Sequence, residues 1–312
     1  MKSVIYNRYG NEDTLEIAEL PMPRPQNKEL VIRVKAISLN PRDTSARNGD
    51  YKLFMNRKFP KQTGADFAGI VTTVGKDIKN FKVGDEVFGY EPSLNKGTAS
   101  EYITIAESFI AHKPKIVSFE EASVLGCVYL CALQSIRDKC QIKPGDKVAV
   151  FGASGGVGTA AIQLAKYYGA EVTAVARSSS EEFCKEQGAD YFISYDKNDI
   201  FASEKKYDVF FQVFGKNNAY YSKAKKILQP DGIFICLIPL PKYILKMLFA
   251  RPAFKFTLVK SKSEDLAFIS KLADQKVIKP IISKNYDLPD IKEAHKALTN
   301  GSVNGKLVVS IQ

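Results

Sequence analysis

The residues that most clearly suggest chemistry lie in a glycine-rich segment between a predicted buried strand and a predicted helix. Residues 147–158 read Lys-Val-Ala-Val-Phe-Gly-Ala-Ser-Gly-Gly-Val-Gly. Glycines permit a tight turn and let the backbone approach a pyrophosphate, while the first amides and the dipole of the helix bind the anion. Glycine triplets also occur in ordinary strand-to-helix turns, but the flanking strand and helix favour a dinucleotide site. We predict that the site is formed by Ser154, Gly155, Gly156, Val157 and Gly158.

The end of the next predicted strand, about 20 residues past the glycines, distinguishes the two nicotinamide dinucleotides. An NAD site usually has Asp or Glu there, which binds the ribose hydroxyls. Here the place falls on Arg177, followed by Ser178 and two more serines. Because arginine binds phosphate through paired hydrogen bonds, we predict NADPH (NADP⁺) as the cofactor, with Arg177 and Ser178 at its 2′-phosphate. The alternative is a solvated arginine at a strand end.

The elements that must position these residues change in character near residue 120. The first 110 residues are β-rich, with β-type runs at 30–37 and 69–75. Residues 120–139 predict one helix, and strands and helices then alternate, which is typical of a parallel sheet covered on both faces. The predicted strands are 147–151, 171–176, 191–194, 207–211 and 232–237, with helices at 156–168 and 181–187. Two helical stretches and a strand at 306–311 follow residue 260.

Composition narrows the class of protein. Apolar residues make up 45% of the 312 residues, which is enough for a packed enzyme of two domains. The start of the chain has no export signal and no apolar run of about 18 residues occurs, so we predict a cytoplasmic location. The five cysteines have the spacing of neither a disulfide framework nor a structural zinc site. The net charge of +11 favours anionic ligands, but its dispersal, without any nucleic-acid motif, predicts no nucleic-acid partner.

Seven segments in order resemble the medium-chain dehydrogenase/reductase superfamily, in its quinone oxidoreductase branch with enone-reductase and reticulon-4-interacting-protein-like members. The segments are 40–43 with 47–49, 64–71, 83–89, 97–102, 153–158, 163–166 and 305–308. The resemblance implies an α/β protein with a GroES-like β-barrel catalytic domain and a doubly wound Rossmann nucleotide-binding domain. We place the catalytic domain at 1–122 with 261–312, and the NADPH-binding domain at 123–260.

The resemblance also implies chemistry without zinc. Alcohol dehydrogenases of the superfamily bind the catalytic metal through Cys and His in segments where this chain has Pro41 and Ala65. The four-cysteine lobe that would follow Gly89 is absent from the sequence. The chain departs from its own branch at Gly126, Cys131 and Gln212, which puts the identity of the substrate in question.

The resemblance supplies the remaining candidate site residues. On the catalytic side it implies Asn40 as a donor to the substrate oxygen and Asp43 as a structural acceptor more than a catalyst. For Tyr51 two roles stay open, a donor to the substrate and a wall against which the substrate stacks. The further cofactor contacts that it implies are Tyr195 at the adenosine phosphate, Phe214, Gly215, Leu237 and Ile238 around the ribose and nicotinamide, and Gly305 and Lys306 at the terminal strand.

These observations predict an NADPH-dependent reductase of a small apolar quinone or α,β-unsaturated carbonyl, because conjugation makes hydride addition feasible without a metal. Two alternatives stay open: an enoyl-thioester reductase, and an NADPH-binding regulatory or interaction protein that has lost turnover. Residues 241–262 combine apolar and basic side chains, which is compatible with peripheral membrane contact; we favour a lid or a dimer surface. The resemblance implies a homodimer or a monomer.

Overall fold

The computed structural model describes residues 1–213, 219–237, 250–301 and 303–311. The strands are β1 (Lys2–Tyr6), β2 (Leu15–Glu19), β3 (Glu29–Ser38), β4 (Lys61–Gln62), β5 (Asp66–Val74), β6 (Glu86–Tyr90), β7 (Tyr102–Ala106), β8 (Ile110–His112), β9 (Lys147–Phe151), β10 (Glu171–Ala176), β11 (Tyr191–Ser194), β12 (Tyr207–Gln212), β13 (Leu228–Cys236), β14 (Ala253–Phe256), β15 (Ile282–Asp287) and β16 (Lys306–Ser310). The helices are α1 (Pro41–Asn48), α2 (Phe119–Val124), α3 (Cys127–Leu133), α4 (Gly156–Tyr167), α5 (Glu181–Glu186), α6 (Ala219–Ala224), α7 (Ser263–Asp274) and α8 (Ile291–Asn300).

The chain divides into two compact units. The first unit comprises Met1–Cys127, Lys260–Lys276 and Pro280–Gln312, and the second comprises Val128–Val259 with Val277–Lys279. The second unit is therefore inserted between two parts of the first. The predicted boundaries near residues 122 and 260 stay a prediction, and the structure groups α2 with the first unit.

The first unit is built on a mostly antiparallel sheet in the order β15-β16-β3-β5-β6-β8, with β7 also paired to β3. A second, three-stranded sheet has the order β2-β1-β4. Alternating apolar residues of β3 are fully buried, and they join one core with the apolar faces of β16 and α8. The last strand of the unit thus pairs directly with β3, from Ser38 to Ala36.

Helix α1 begins and ends where its local sequence dictates. Asn40 is the N-cap, Pro41 occupies the first helical position, and Asp43 accepts the backbone N–H of Asn40 at 2.8 Å. Gly49 ends the helix with φ of 90°, in the left-handed region that glycine adopts without strain. These caps fix α1, and therefore Asn40 and Asp43, directly after β3.

The second unit contains a six-stranded parallel sheet in the order β11-β10-β9-β12-β13-β14. This is the doubly wound order in which ligands bind at the carboxyl ends of the strands, where the order reverses beside β9. One face is packed with aromatic rings, including the stacked pair Phe210–Phe234 at 5.8 Å. The predicted strands and helices of this unit are confirmed with nearly the predicted bounds, although β13 begins at Leu228 rather than Gly232.

The prediction of a single helix over residues 120–139 is wrong. Helix α2 ends at Val124, α3 begins at Cys127, and a π-helical segment continues from Gln134 to Cys140. The break has a physical cause, because the N–H of Cys127 is bound by the buried carboxylate of Asp66 at 2.7 Å. Among the described helices, none is long and apolar enough to cross a membrane.

Candidate functional site

The glycine turn of the second unit connects β9 to α4. Gly152 has φ of 90°, and a Cβ on Gly158 would lie 2.2 Å from the carbonyl oxygen of Gly152. Gly158 therefore allows the helix to pack directly against the turn. A Cβ on Gly155 would meet only that same oxygen, at 3.8 Å, so this side of the turn faces open space.

The open side of the turn is where the sequence predicts a pyrophosphate. Ser154, Gly155, Gly156 and Val157 are half-buried at the start of α4, a helix of 12 residues. The first amides of a helix have no carbonyl partner within the helix, and its dipole favours an anion at this end. The structure thus brings the five predicted loop residues together at the start of α4, with Gly155 on the open side of the turn.

The 2′-phosphate residues predicted from sequence lie at the carboxyl ends of two neighbouring strands. Arg177 and Ser178 follow β10, and Tyr195 follows β11, whose last residue pairs with that of β10. Arg177 donates from Nε to the hydroxyl of Tyr195 at 3.1 Å. The ring of Tyr195 lies 5.9 Å from that of Phe151, which ends β9. The predicted group is therefore assembled at one edge of the sheet.

An unpredicted carboxylate also lies in this group. Asp196 accepts hydrogen bonds from the Ser178 N–H at 2.9 Å, from the Ser178 hydroxyl at 2.8 Å and from the Ser194 hydroxyl at 2.6 Å. These bonds hold the pKa of Asp196 well below its ordinary value, that from Ser194 most strongly. Asp196 is therefore ionised at neutral pH.

The remaining predicted cofactor residues are only partly described. Phe214, Gly215 and Ile238 lie outside the described residues, as do residues 241–249 of the basic apolar stretch. Leu237 follows β13 and is half-buried. Gly305, at φ of 88°, precedes β16 in the first unit.

A buried polar network lies where β3 meets α1 in the first unit. Lys306 donates from Nζ to the carbonyl of Leu39 at 2.5 Å and to Asn40 Oδ1 at 2.6 Å. Asn40 donates from Nδ2 to Asp66 Oδ2 at 2.9 Å and to the carbonyl of Ser38 at 3.4 Å. Asn40 is 3% exposed, so its amide is fully engaged inside the protein. Asn40 therefore has no free amide hydrogen with which to make the direct donation to substrate that is predicted for it. Lys306, predicted at the cofactor, has its ammonium directed to Asn40.

Asp66 is the acceptor at the centre of this network. Its Oδ2 also accepts from the hydroxyl of Ser38 at 3.0 Å, and the ammonium of Lys306 lies 3.6 Å away. Burial raises the pKa of Asp66, whereas Lys306 and the hydrogen-bond donors lower it. A Cβ on Gly126 would lie 2.4 Å from Asp66 Oδ1, so the departure from the branch at Gly126 leaves room for this carboxylate.

Asp43 and Tyr51 have different surroundings. Asp43 is buried, and burial raises the pKa of its carboxyl to about 6, against the charges of Arg42 and Lys306 and the N–H of Asn40. Its bond to that N–H is the structural role that the sequence favours.

Tyr51 follows α1 and is half-buried. In the part of the chain that the structure describes, its hydroxyl makes no hydrogen bond, so it is not linked by one to Asn40 or Asp43.

Two residues of these groups were missed from the sequence. The sequence contains a signal that could have identified Asp66, because an acidic residue within the buried run of β5 requires polar partners. The signal for Asp196 is weaker: it lies directly after Tyr195 at the end of a strand. Lys306 was predicted for another role because its partners lie far away in sequence.

The structure holds no cluster of three or more His, Cys, Asp or Glu side chains that could bind a metal, within the residues it describes. Pro41 begins α1 and Ala65 is buried before β5, and neither side chain has a ligand atom.

Comparisons with known proteins agree with this architecture. Residues 26–115 match the family described as alcohol dehydrogenase GroES-like domain, and residues 187–309 match that described as zinc-binding dehydrogenase. The chain is 32% identical to the chloroplast envelope quinone oxidoreductase homolog of Arabidopsis thaliana, over 99% of this chain and 98% of that protein. The chain belongs to the medium-chain dehydrogenase/reductase superfamily, in its quinone oxidoreductase branch.

Two further similarities support the membership of this superfamily. The chain is 30% identical to the chloroplastic NADPH-dependent alkenal/one oxidoreductase of Arabidopsis thaliana, over 99% of this chain and 79% of that protein. The solved structure of the quinone oxidoreductase from Coxiella burnetii superposes with a TM-score of 0.91 at 28% identity, covering 100% of this chain and 99% of that one. The predicted α/β architecture, with a GroES-like and a Rossmann domain, is thereby confirmed.

Proposed function

We propose that this oxidoreductase uses NADPH to reduce quinones or α,β-unsaturated carbonyl compounds without zinc. The observation that carries the proposal is the glycine turn before α4 beside the strand ends that bear Arg177 and Tyr195. Such a turn suits a dinucleotide pyrophosphate, and Arg177 suits a 2′-phosphate. The relatives named quinone oxidoreductase and alkenal/one oxidoreductase support the substrate class.

A bound nicotinamide supplies the hydride in this reaction. The residues of the chain bind and orient the dinucleotide through the glycine turn, and hold a donor toward the substrate oxygen that becomes negative when hydride adds. We assign that donor role to the hydroxyl of Tyr51, which has no hydrogen-bond partner within the described residues. Asn40 and Asp43 act as positioning residues, because their polar atoms bind Lys306, Asp66 and the start of α1.

NADPH and NADH oxidation, measured against a panel of quinones and small enones, tests the proposal. Wild type should oxidise NADPH faster than NADH, and Arg177→Ala should lose this preference. Arg24→Ala, which removes an exposed arginine of the first unit, is the control for lost charge and should keep it. Tyr51→Phe should lower kcat without changing NADPH affinity, because it removes a donor and keeps the ring.

Each contrary result has a distinct meaning. Tight NADPH binding without turnover of any quinone or enone would contradict the reductase proposal. Turnover of an enoyl-CoA thioester in preference to free enones would identify an enoyl-thioester reductase, and no turnover of either class would identify a binding protein.

The location, the partners and the oligomeric state belong to the same proposal. We propose a cytoplasmic protein that acts on small apolar substrates as a monomer or homodimer, with no nucleic-acid partner. The two curated relatives are named for the chloroplast, so fractionation of cells that produce this protein tests the location directly.

A further inference from the structure

The donors best placed for a cofactor 2′-phosphate already hold an anion of the protein itself. The N–H and the hydroxyl of Ser178 both donate to Asp196, at 2.9 and 2.8 Å, and the hydroxyl of Ser194 donates at 2.6 Å. Ser178 follows β10, while Ser194 ends β11 and Asp196 lies two residues beyond it. The carboxylate therefore bridges the two strand ends at which the adenosine side of the cofactor is expected.

This arrangement puts two opposite influences at one place. Arg177 attracts a 2′-phosphate, and its Nε already donates to the hydroxyl of Tyr195, the residue next to Asp196. Asp196 repels a phosphate and leaves Ser178 no spare donor toward it. A carboxylate at this edge is also the acceptor that dinucleotide sites use for an unphosphorylated ribose. The position after β10, where an NAD site has its acidic residue, holds Arg177, but β11 brings a carboxylate to the same edge.

We propose that Asp196 is a specificity-determining residue whose carboxylate occupies the donors of Ser178 and limits the preference for a 2′-phosphorylated cofactor. The inference rests on the proposed binding of a nicotinamide dinucleotide at this edge. Asp196 reduces the gain in affinity that Arg177 gives to a 2′-phosphorylated cofactor, so that the unphosphorylated cofactor is also accepted. NADPH binding then requires the carboxylate to release Ser178 or to tolerate the phosphate beside it.

Replacing Asp196 should strengthen binding of the 2′-phosphate in particular. A 2′-phosphate carries nearly two negative charges, and the carboxylate of Asp196 repels both of them, weakened by the surrounding water. Removing the carboxylate should therefore raise the ratio of affinities for 2′-phosphorylated over unphosphorylated ligand about tenfold. The increase should shrink at high ionic strength, because the interaction lies at the surface.

Calorimetric titration with 2′,5′-ADP and with 5′-AMP measures this ratio without any turnover. Wild type is compared with Asp196→Asn, which keeps the shape of the side chain, and with Asp196→Ala, which also removes its hydrogen bonds. Asp231→Asn is the control, because it removes the same charge from an exposed position of the same unit. Circular dichroism and thermal melting establish that each variant is folded.

The expected result is a ratio about tenfold higher in both Asp196 variants and unchanged in Asp231→Asn. A ratio that stays constant or falls in both Asp196 variants would overturn the inference. Arg177→Ala, titrated in parallel, tests the proposed NADPH preference separately, since that proposal requires the ratio to fall. A fall with Arg177→Ala beside a constant ratio with Asp196→Asn would retain the NADPH proposal and reject the role of Asp196.

Discussion

Replacing His295 by leucine should stabilise this protein, most strongly in acid. His295 lies in α8 with no exposed surface, and neither ring nitrogen has a hydrogen-bond partner among the described residues. An unpaired buried polar group costs about 1 to 3 kcal/mol, so an apolar side chain of similar size should gain roughly 1 kcal/mol at neutral pH.

The acid dependence follows from the ionisation of the ring. Burial, assisted by the charge of Arg47, lowers the pKa of His295 from 6.5 to about 3. The unfolded chain therefore binds a proton below about pH 6.5 that the folded protein refuses, and the free energy of unfolding falls as pH drops toward 3. Each pH unit within this window costs about 1.4 kcal/mol, which gives about 2 kcal/mol between pH 7 and pH 5.

Urea unfolding followed by circular dichroism at about pH 7 and pH 5 measures this effect. The difference between His295→Leu and wild type is the relevant quantity, because contributions from other groups cancel in it. His112→Gln, which replaces the exposed histidine, is the control for loss of an imidazole. If the advantage of His295→Leu does not grow by at least about 1 kcal/mol on acidification, the reasoning is refuted.

Three further predictions concern the glycine turn, Lys306 and Asp43. Gly158→Ala should destabilise the second unit by roughly 1 to 3 kcal/mol in thermal or urea unfolding, because its Cβ would lie 2.2 Å from the backbone of the turn. Gly155→Ala should leave stability nearly unchanged yet weaken NADPH in calorimetry; equal stability of the two variants would contradict the role assigned to Gly158. Lys306→Met should cost about 3 to 5 kcal/mol in urea unfolding, because Asp66 loses its cation, and the added Asp66→Asn should recover part of this. In wild type, ionisation of Asp43 should lower the free energy of unfolding by roughly 3 kcal/mol as pH rises from about 4 to 6, because its raised pKa of about 6 makes the folded state bind more protons there. Asp43→Asn should remove this loss. Parallel stability–pH curves for Asp43→Asn and wild type would show that this carboxyl ionises as it does in the unfolded chain.

The parallel sheet was readily predicted because its signals are local. A buried β-branched strand such as β9, followed by glycines and an apolar helix, leaves few other structures open. The helix predicted over residues 120–139 failed for a reason that the sequence does not reveal locally. Its interruption at Leu125–Gly126 accompanies a contact with Asp66, a residue some 60 positions earlier in the chain.

Locality also separates the glycine turn from the buried network around Asn40. Ser154 to Gly158 are consecutive residues where a turn leads into α4, so their spacing alone predicts an anion site. Asn40 has its environment set by Lys306 and Asp66, which come from distant strands. Sequence could name Asn40 and Lys306 as site residues, but it could not tell that each would satisfy the other.

The pairing of β16 with β3 has a consequence for synthesis of the chain on the ribosome. The whole second unit, up to Lys279, emerges before Lys306 does, while the partners of Lys306 at Leu39 and Asn40 are made before that unit begins. Until β16 arrives, the end of β3 presents an unpaired edge, which invites contacts between nascent chains. The second unit can acquire its fold during this interval, so completion of the first unit should be the late, vulnerable step.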